Sequence, residues 1–177
     1  MDISNVLFSP NGRISPNTFW RGTILLVGWQ IVLNLAIGFL PLSLALGLML
    51  SVLLLFYPYL CVYGKRLHDS GRSAWQFLLF FFAWLLLSLY VMPAVFQPLV
   101  AEETARLQED MDIFIQEGNV TAMFELVQMQ FRSQFVLSVI QIVILNALLG
   151  FFVARLKSEP EPNQYGPPTQ NARAPFA

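Results

Sequence analysis

Lys65, Arg66, His68, Asp69 and Arg72 fall within eight consecutive residues, the densest group of reactive side chains in a chain of 177. Two chemistries are open to them. A carboxylate beside an imidazole can orient the ring and raise its pKa, so His68 with Asp69 reads as a general acid/base or proton-relay pair. Adjacent residues on a helix do not face one another, however, and Asp69 is equally free to cap a helix or to pair with Arg66 or Arg72. The second chemistry is anion recognition: Arg13, Lys65, Arg66 and Arg72 can converge on a phosphate, because guanidinium offers a planar fork of donors. Basic residues are also expected at this place from topology alone. His68 is the only histidine and Cys61 the only cysteine, so a multi-histidine or cysteine metal site and an internal disulfide are not expected, nor is a cofactor.

What positions this group is a pair of long apolar runs, one on each side. Hydrophobic residues make up 56% of the chain against 12% charged, with a mean hydropathy of +0.59, well outside the soluble average. Crossing a hydrocarbon core of about 30 Å as a helix takes about 20 apolar residues. Four stretches qualify, at 23–40, 42–62, 75–96 and 135–153, and none contains Asp, Glu, Lys or Arg. The expected fold is all-α: a polytopic membrane protein with four transmembrane helices and a helical extramembrane loop between spans three and four. The first run is too long for a secretory signal and is followed by no small-residue cleavage site, so it reads as a retained anchor.

Orientation follows from the basic residues, which are retained on the cytoplasmic side. Arg13 and Arg21 precede span one, Lys65, Arg66 and Arg72 separate spans two and three, and Arg155, Lys157 and Arg173 follow span four. The third loop holds Arg106 and Arg132 against seven acids. Both termini are therefore expected in the cytoplasm. The inner face is then basic enough to meet anionic phospholipid, and nothing in the pattern suits nucleic acid. Phe19, Trp20, Tyr57, Tyr59, Tyr63 and Trp75 are expected as an aromatic belt at that inner interface.

Local signals agree with these boundaries. Ser15 followed by Pro16 reads as an N-cap and first helical position ahead of span one, and Ser73-Ala74-Trp75-Gln76 has the form of a capping box ahead of span three. In the loop 97–134, Leu99, Leu107, Met111 and Phe114 recur on one face, Gly118-Asn119 breaks the pattern, and Met123, Val127 and Phe131 begin a second amphipathic run, so a helical hairpin is expected. Asn119-Val120-Thr121 matches the glycosylation sequon, a pattern frequent by chance. Residues 1–157 form one membrane domain. The tail 158–177 carries five prolines and is expected to be extended or disordered.

Within the spans the polar side chains are Gln30 and Asn34, four apart on one face of span one, and Gln141 and Asn146 in span four. They suit interhelical hydrogen bonds, or the lining of a path. No span carries an ionisable group of the kind that intramembrane catalysis or proton-coupled transport uses.

Three blocks carry a family resemblance: Gly12-Arg13-Ile14-Ser15 with Phe19-Trp20; Lys65-Arg66-Leu67-His68-Asp69 through Gly71-Arg72-Ser73-Ala74-Trp75; and Asn163-Gln164-Tyr165-Gly166-Pro167-Pro168. In their order and spacing they resemble the bacterial inner-membrane proteins grouped as domain of unknown function 805, including the YhaH-like proteins. The resemblance implies a four-helix protein of the bacterial cytoplasmic membrane with an uncharacterised activity, and supplies no catalytic residues. Arg13, Arg66, Leu67, His68, Asp69, Gly71, Arg72 and Trp75 match its motifs, whereas the long acidic third loop exceeds the family's compact pattern and Gln76 stands where many members have an aromatic. The expectation is a non-enzymatic, lipid-associating or accessory membrane component with Arg13, Lys65, Arg66, His68, Asp69, Arg72 and Trp75 as headgroup- or partner-binding candidates. Its partner is membrane lipid, another membrane protein or a second copy. The alternative is a small oligomeric transporter or channel lined by Gln30, Asn34, Gln141 and Asn146.

Overall fold

The computed structural model describes residues 2–169. Apart from an isolated bridge between Asn163 and Gly166, the regular structure among them is helical: α1 (Ile3–Phe8), α2 (Pro16–Phe39), α3 (Leu42–Leu54), α4 (Phe56–Asp69), α5 (Phe77–Leu86), α6 (Met92–Glu117), α7 (Val120–Ser133) and α8 (Phe135–Ala154). Three helical segments are long and apolar enough to cross a membrane: Pro16–Phe39, Ala74–Glu102 and Phe135–Ala154.

The second expected span is not one helix. It breaks at Leu55 into α3 and α4, of 13 and 14 residues. Pro58 supplies the reason: it has no N–H for the carbonyl of Leu54, and it sits in the first turn of α4, where a missing donor is tolerated. Span three reaches further than expected. A 3₁₀ turn at Ala74–Gln76 leads into α5, and a π-helical turn at Leu87–Val91 joins α5 to α6 just before Pro93. Proline and π turns are the usual causes of irregularity in long helices. From there the helix continues to Glu117 without returning to loop.

The hairpin expected in the third loop is present. Gly118 ends α6 in the left-handed conformation at φ 65°, which glycine adopts without a Cβ penalty. The side chain of Asn119 then caps α7, accepting from the Ala122 N–H at 3.1 Å. Near its far end α7 meets α2: Gln128 donates to the Leu40 carbonyl at 2.9 Å, and Arg132 donates to that of Gly38. These are carbonyls that the end of α2 leaves without helical partners.

Helix α2 is central and packs on α8, α3, α7 and α4. In lipid there is little hydrophobic drive between helices, so close approach through small residues matters more. A Cβ on Gly22 would lie 3.2 Å from the side chains of Val6 and Val62, and one on Gly150 3.0 Å from the Trp20 ring. The aromatic belt divides. Phe19 and Tyr63 are buried and meet edge to face at 5.0 Å, forming core where interface was expected, while Trp75 is 77% exposed.

Candidate functional site

One end of the bundle gathers the start of α2, the end of α4, the start of α5 and the end of α8. Ser15 caps α2 as its type suggests, accepting from the Thr18 N–H at 3.3 Å. The capping box at α5 forms only in part: Ser73 accepts weakly from the Trp75 N–H at 3.4 Å, because the first turn there is 3₁₀ and shifts the donor by one residue.

Asp69 closes α4 at the centre of this end and is 0% exposed. Its Oδ1 accepts from Arg13 Nε at 3.2 Å and Thr169 Oγ1 at 3.1 Å, and its Oδ2 from Arg66 Nη1 at 2.5 Å and Ser158 Oγ at 2.5 Å. The side chains of both arginines are 1% exposed. Their remaining donors go mostly to backbone carbonyls. Arg13 reaches Glu159 at 2.5 Å and Glu161 at 2.8 Å, and Arg66 reaches Ala154 at 2.9 Å and Leu156. Arg66 thereby caps the C-terminus of α8, where a cation also meets the negative end of the helix dipole. Lys65 donates to the Asn5 carbonyl in α1, and burial pulls its pKa down.

His68 does not face Asp69. Its Nδ1 lies 3.1 Å from the Gly12 carbonyl, which can only accept, so Nδ1 carries a proton. The ring stacks on Tyr165 with centroids 3.7 Å apart and planes within 5°. Burial lowers the His68 pKa, as does the charge of Lys65, while the bond to Gly12 opposes them.

Arg13, Lys65 and Arg66, expected to converge on a lipid phosphate, converge instead on Asp69 and on backbone carbonyls. The carboxylate occupies the place between the two guanidiniums that an external anion would need. Arg72 and Trp75 are different: both are exposed and stand on the rim of this end, ahead of α5. The structure thus separates the seven candidates into an interior group of five and a rim pair.

The tail was expected to be extended or disordered, and residues 158–169 are neither free nor featureless. The Glu159 N–H donates to the Asp69 carbonyl at 2.8 Å, and Asn163 donates to the His68 carbonyl at 3.0 Å and to Glu159 Oε2 at 2.7 Å. Asn163 also accepts from the Tyr165 N–H at 2.9 Å, which folds a tight turn ending at Gly166 with φ 131°. Prolines limit the alternatives open to this segment, and the arginines supply donors for its carbonyls. Residues 170–177, including Arg173, lie outside the described residues.

Of the four intramembrane polar residues, Gln30 and Asn146 line one cavity with Tyr59, and Asn34 and Gln141 make contacts elsewhere. Gln30 accepts from Tyr59 at 3.1 Å, Asn34 from Ser138 at 3.0 Å, and Gln141 donates to Ser88 at 3.0 Å. Asn146 donates to the Ile142 carbonyl one turn back at 2.8 Å.

The family model described as "Protein of unknown function (DUF805)" matches residues 7–167, from ahead of Arg13 to beyond the Asn163 turn. The chain belongs to the DUF805 family. Its relatives include the "Uncharacterized protein YiiR" of Escherichia coli strain K12 and of Escherichia coli O157:H7. Each is 39% identical over 100 residues, covering 55% of this chain and 67% of the relative. No solved structure matches. The match to the DUF805 model takes in every residue of the Asp69 cluster except Thr169.

The contribution of the tail to this cluster went unread in the sequence. Asn163 three residues ahead of Gly166 is a turn signal, and it was the one local hint that the tail folds. Pairing of Arg13 with Asp69, 56 residues apart, has no local signature.

Proposed function

We propose that the chain is a non-enzymatic, lipid-associating component of a bacterial inner membrane, crossing it four times with both termini cytoplasmic. The observation that carries this reading is the closure of Asp69: both of its carboxylate oxygens are taken by donors of its own chain, Arg13, Arg66, Ser158 and Thr169, so the centre of the cluster is filled from within. The role assigned to the cluster is a clasp that ties the N-terminal segment, the end of α4, the end of α8 and the tail into one cytoplasmic cap. Support for four crossings comes from the paired short helices α3 and α4, which together carry the chain back to the end where α2 begins. Lipid association then falls to the rim, where Arg72 is free to meet anionic headgroups and Trp75 suits the interface.

Asn34 and Gln141 bond away from the cavity that Gln30 and Asn146 share, so the four line no common cavity, which favours this reading over a transport path. The test is native mass spectrometry of the protein released from nanodiscs containing phosphatidylglycerol. Arg72→Glu with Trp75→Ala is expected to lose bound phosphatidylglycerol without a change in thermal unfolding. Retention of the same lipid by that variant contradicts the rim assignment.

A further inference from the structure

The break at Leu55 opens a cavity of about 510 Å³ between α4 and α5, backed by α2 and α8. That volume lies within the range of about 300–1,000 Å³ typical of sites for small molecules. Its walls are apolar and largely aromatic, including Phe56, Phe77, Phe81 and Trp84. Leu53, 73% exposed, stands at its mouth, so the cavity opens sideways, toward the surface that lipid covers in a membrane.

Besides the phenol of Tyr63 and the indole N–H of Trp84, the polar side chains on its walls are Gln30, Tyr59 and Asn146. Tyr59 donates to Gln30 Oε1, which leaves the amide donors of Gln30 without an acceptor among the described residues. Asn146 is 4% exposed and uses its nitrogen on the Ile142 carbonyl, leaving its Oδ1 without a donor among them. An intramembrane amide with free hydrogen-bonding capacity is costly unless a partner arrives.

We propose that this cavity is a binding site for one uncharged, hydroxyl-bearing lipid. A hydroxyl answers both vacancies, its oxygen accepting from Gln30 and its hydrogen donating to Asn146 Oδ1, while the hydrocarbon lies along the aromatic wall. Among the described residues no Asp, Glu, Lys, Arg or His lines the cavity, so a carboxylate or phosphate head meets no counter-charge from them and pays for desolvation. Acylglycerols and isoprenoid quinols both carry this chemistry. The site shares no residue with the Arg72–Trp75 rim and stands independently of the role given to it.

The test is native mass spectrometry of the full chain in detergent micelles. Dioleoylglycerol and an isoprenoid quinol are titrated separately, with phosphatidylglycerol as the charged control. One or both neutral probes bind at one per chain, and the preference between them identifies the source. Asn146→Leu weakens that binding about 3- to 10-fold, the loss of one neutral hydrogen bond. Leu85→Trp fills the cavity without touching the polar groups and abolishes binding, so the result does not depend on Asn146→Leu folding. Failure of both neutral probes to bind overturns the proposal, as does phosphatidylglycerol binding that Leu85→Trp abolishes, or neutral-probe binding indifferent to Leu85→Trp.

Discussion

At the scale of single residues, Asp69 and His68 show how neighbours in sequence take unrelated roles. One turns inward between two guanidiniums, and the other lies flat against Tyr165 with its Nδ1 proton on the Gly12 carbonyl. Burial holds the His68 pKa below its usual 6.5, so the folded protein resists protonation that the unfolded chain accepts. Between those two pKa values the unfolded state binds more protons, and stability therefore falls as pH falls. Thermal unfolding in nanodiscs is expected to be flat above about pH 7 and to drop below about pH 6.5. In His68→Asn the drop through this window is expected to be smaller. Equal declines in the two proteins contradict a neutral folded-state imidazole.

Among the elements, the sequence was most legible where apolar length and capping residues act locally. Ser15 and Pro16 open α2, and Gly118 with Asn119 turns α6 into α7, as their types indicate. It was least legible where backbone hydrogen bonding overrode hydropathy. Residues 42–62 carry no charge and are mostly apolar, and the donor missing at Pro58 divides them into two helices. The tail was illegible for a different reason: its partners are carbonyl acceptors and buried arginines brought together from distant segments, which composition does not encode. In the proposed four-crossing topology α3 and α4 together cross the membrane once, with Asn11 and Lys157 on one side and Glu117 on the other. An impermeant maleimide added to intact cells is expected to label Glu117→Cys and to spare Asn11→Cys and Lys157→Cys, with Cys61 silent because it is buried. Labelling of all three positions, or of the terminal pair alone, contradicts the arrangement.

Considered as a whole molecule, the chain concentrates its specificity at one end of an otherwise apolar bundle. Lipid-facing helices tolerate many packings, because lipid tails are as apolar as leucine. A buried network that accepts only one arrangement of Arg13, Arg66, Asp69 and the tail selects among them. Removing one member of such a network leaves an uncompensated charge and costs about 3–5 kcal/mol. The three blocks that carry the family resemblance build this end, around Arg13, Arg66 with Asp69, and Asn163. The most direct test is a double-mutant cycle for Arg13→Met and Asp69→Asn, read as unfolding free energy of the full chain in nanodiscs. A clasp predicts that Asp69→Asn alone is severely destabilised and that the double variant loses less than the sum of the single losses by about 1–3 kcal/mol. Losses that add within about 0.5 kcal/mol contradict the clasp and free Arg13 for a ligand outside the chain.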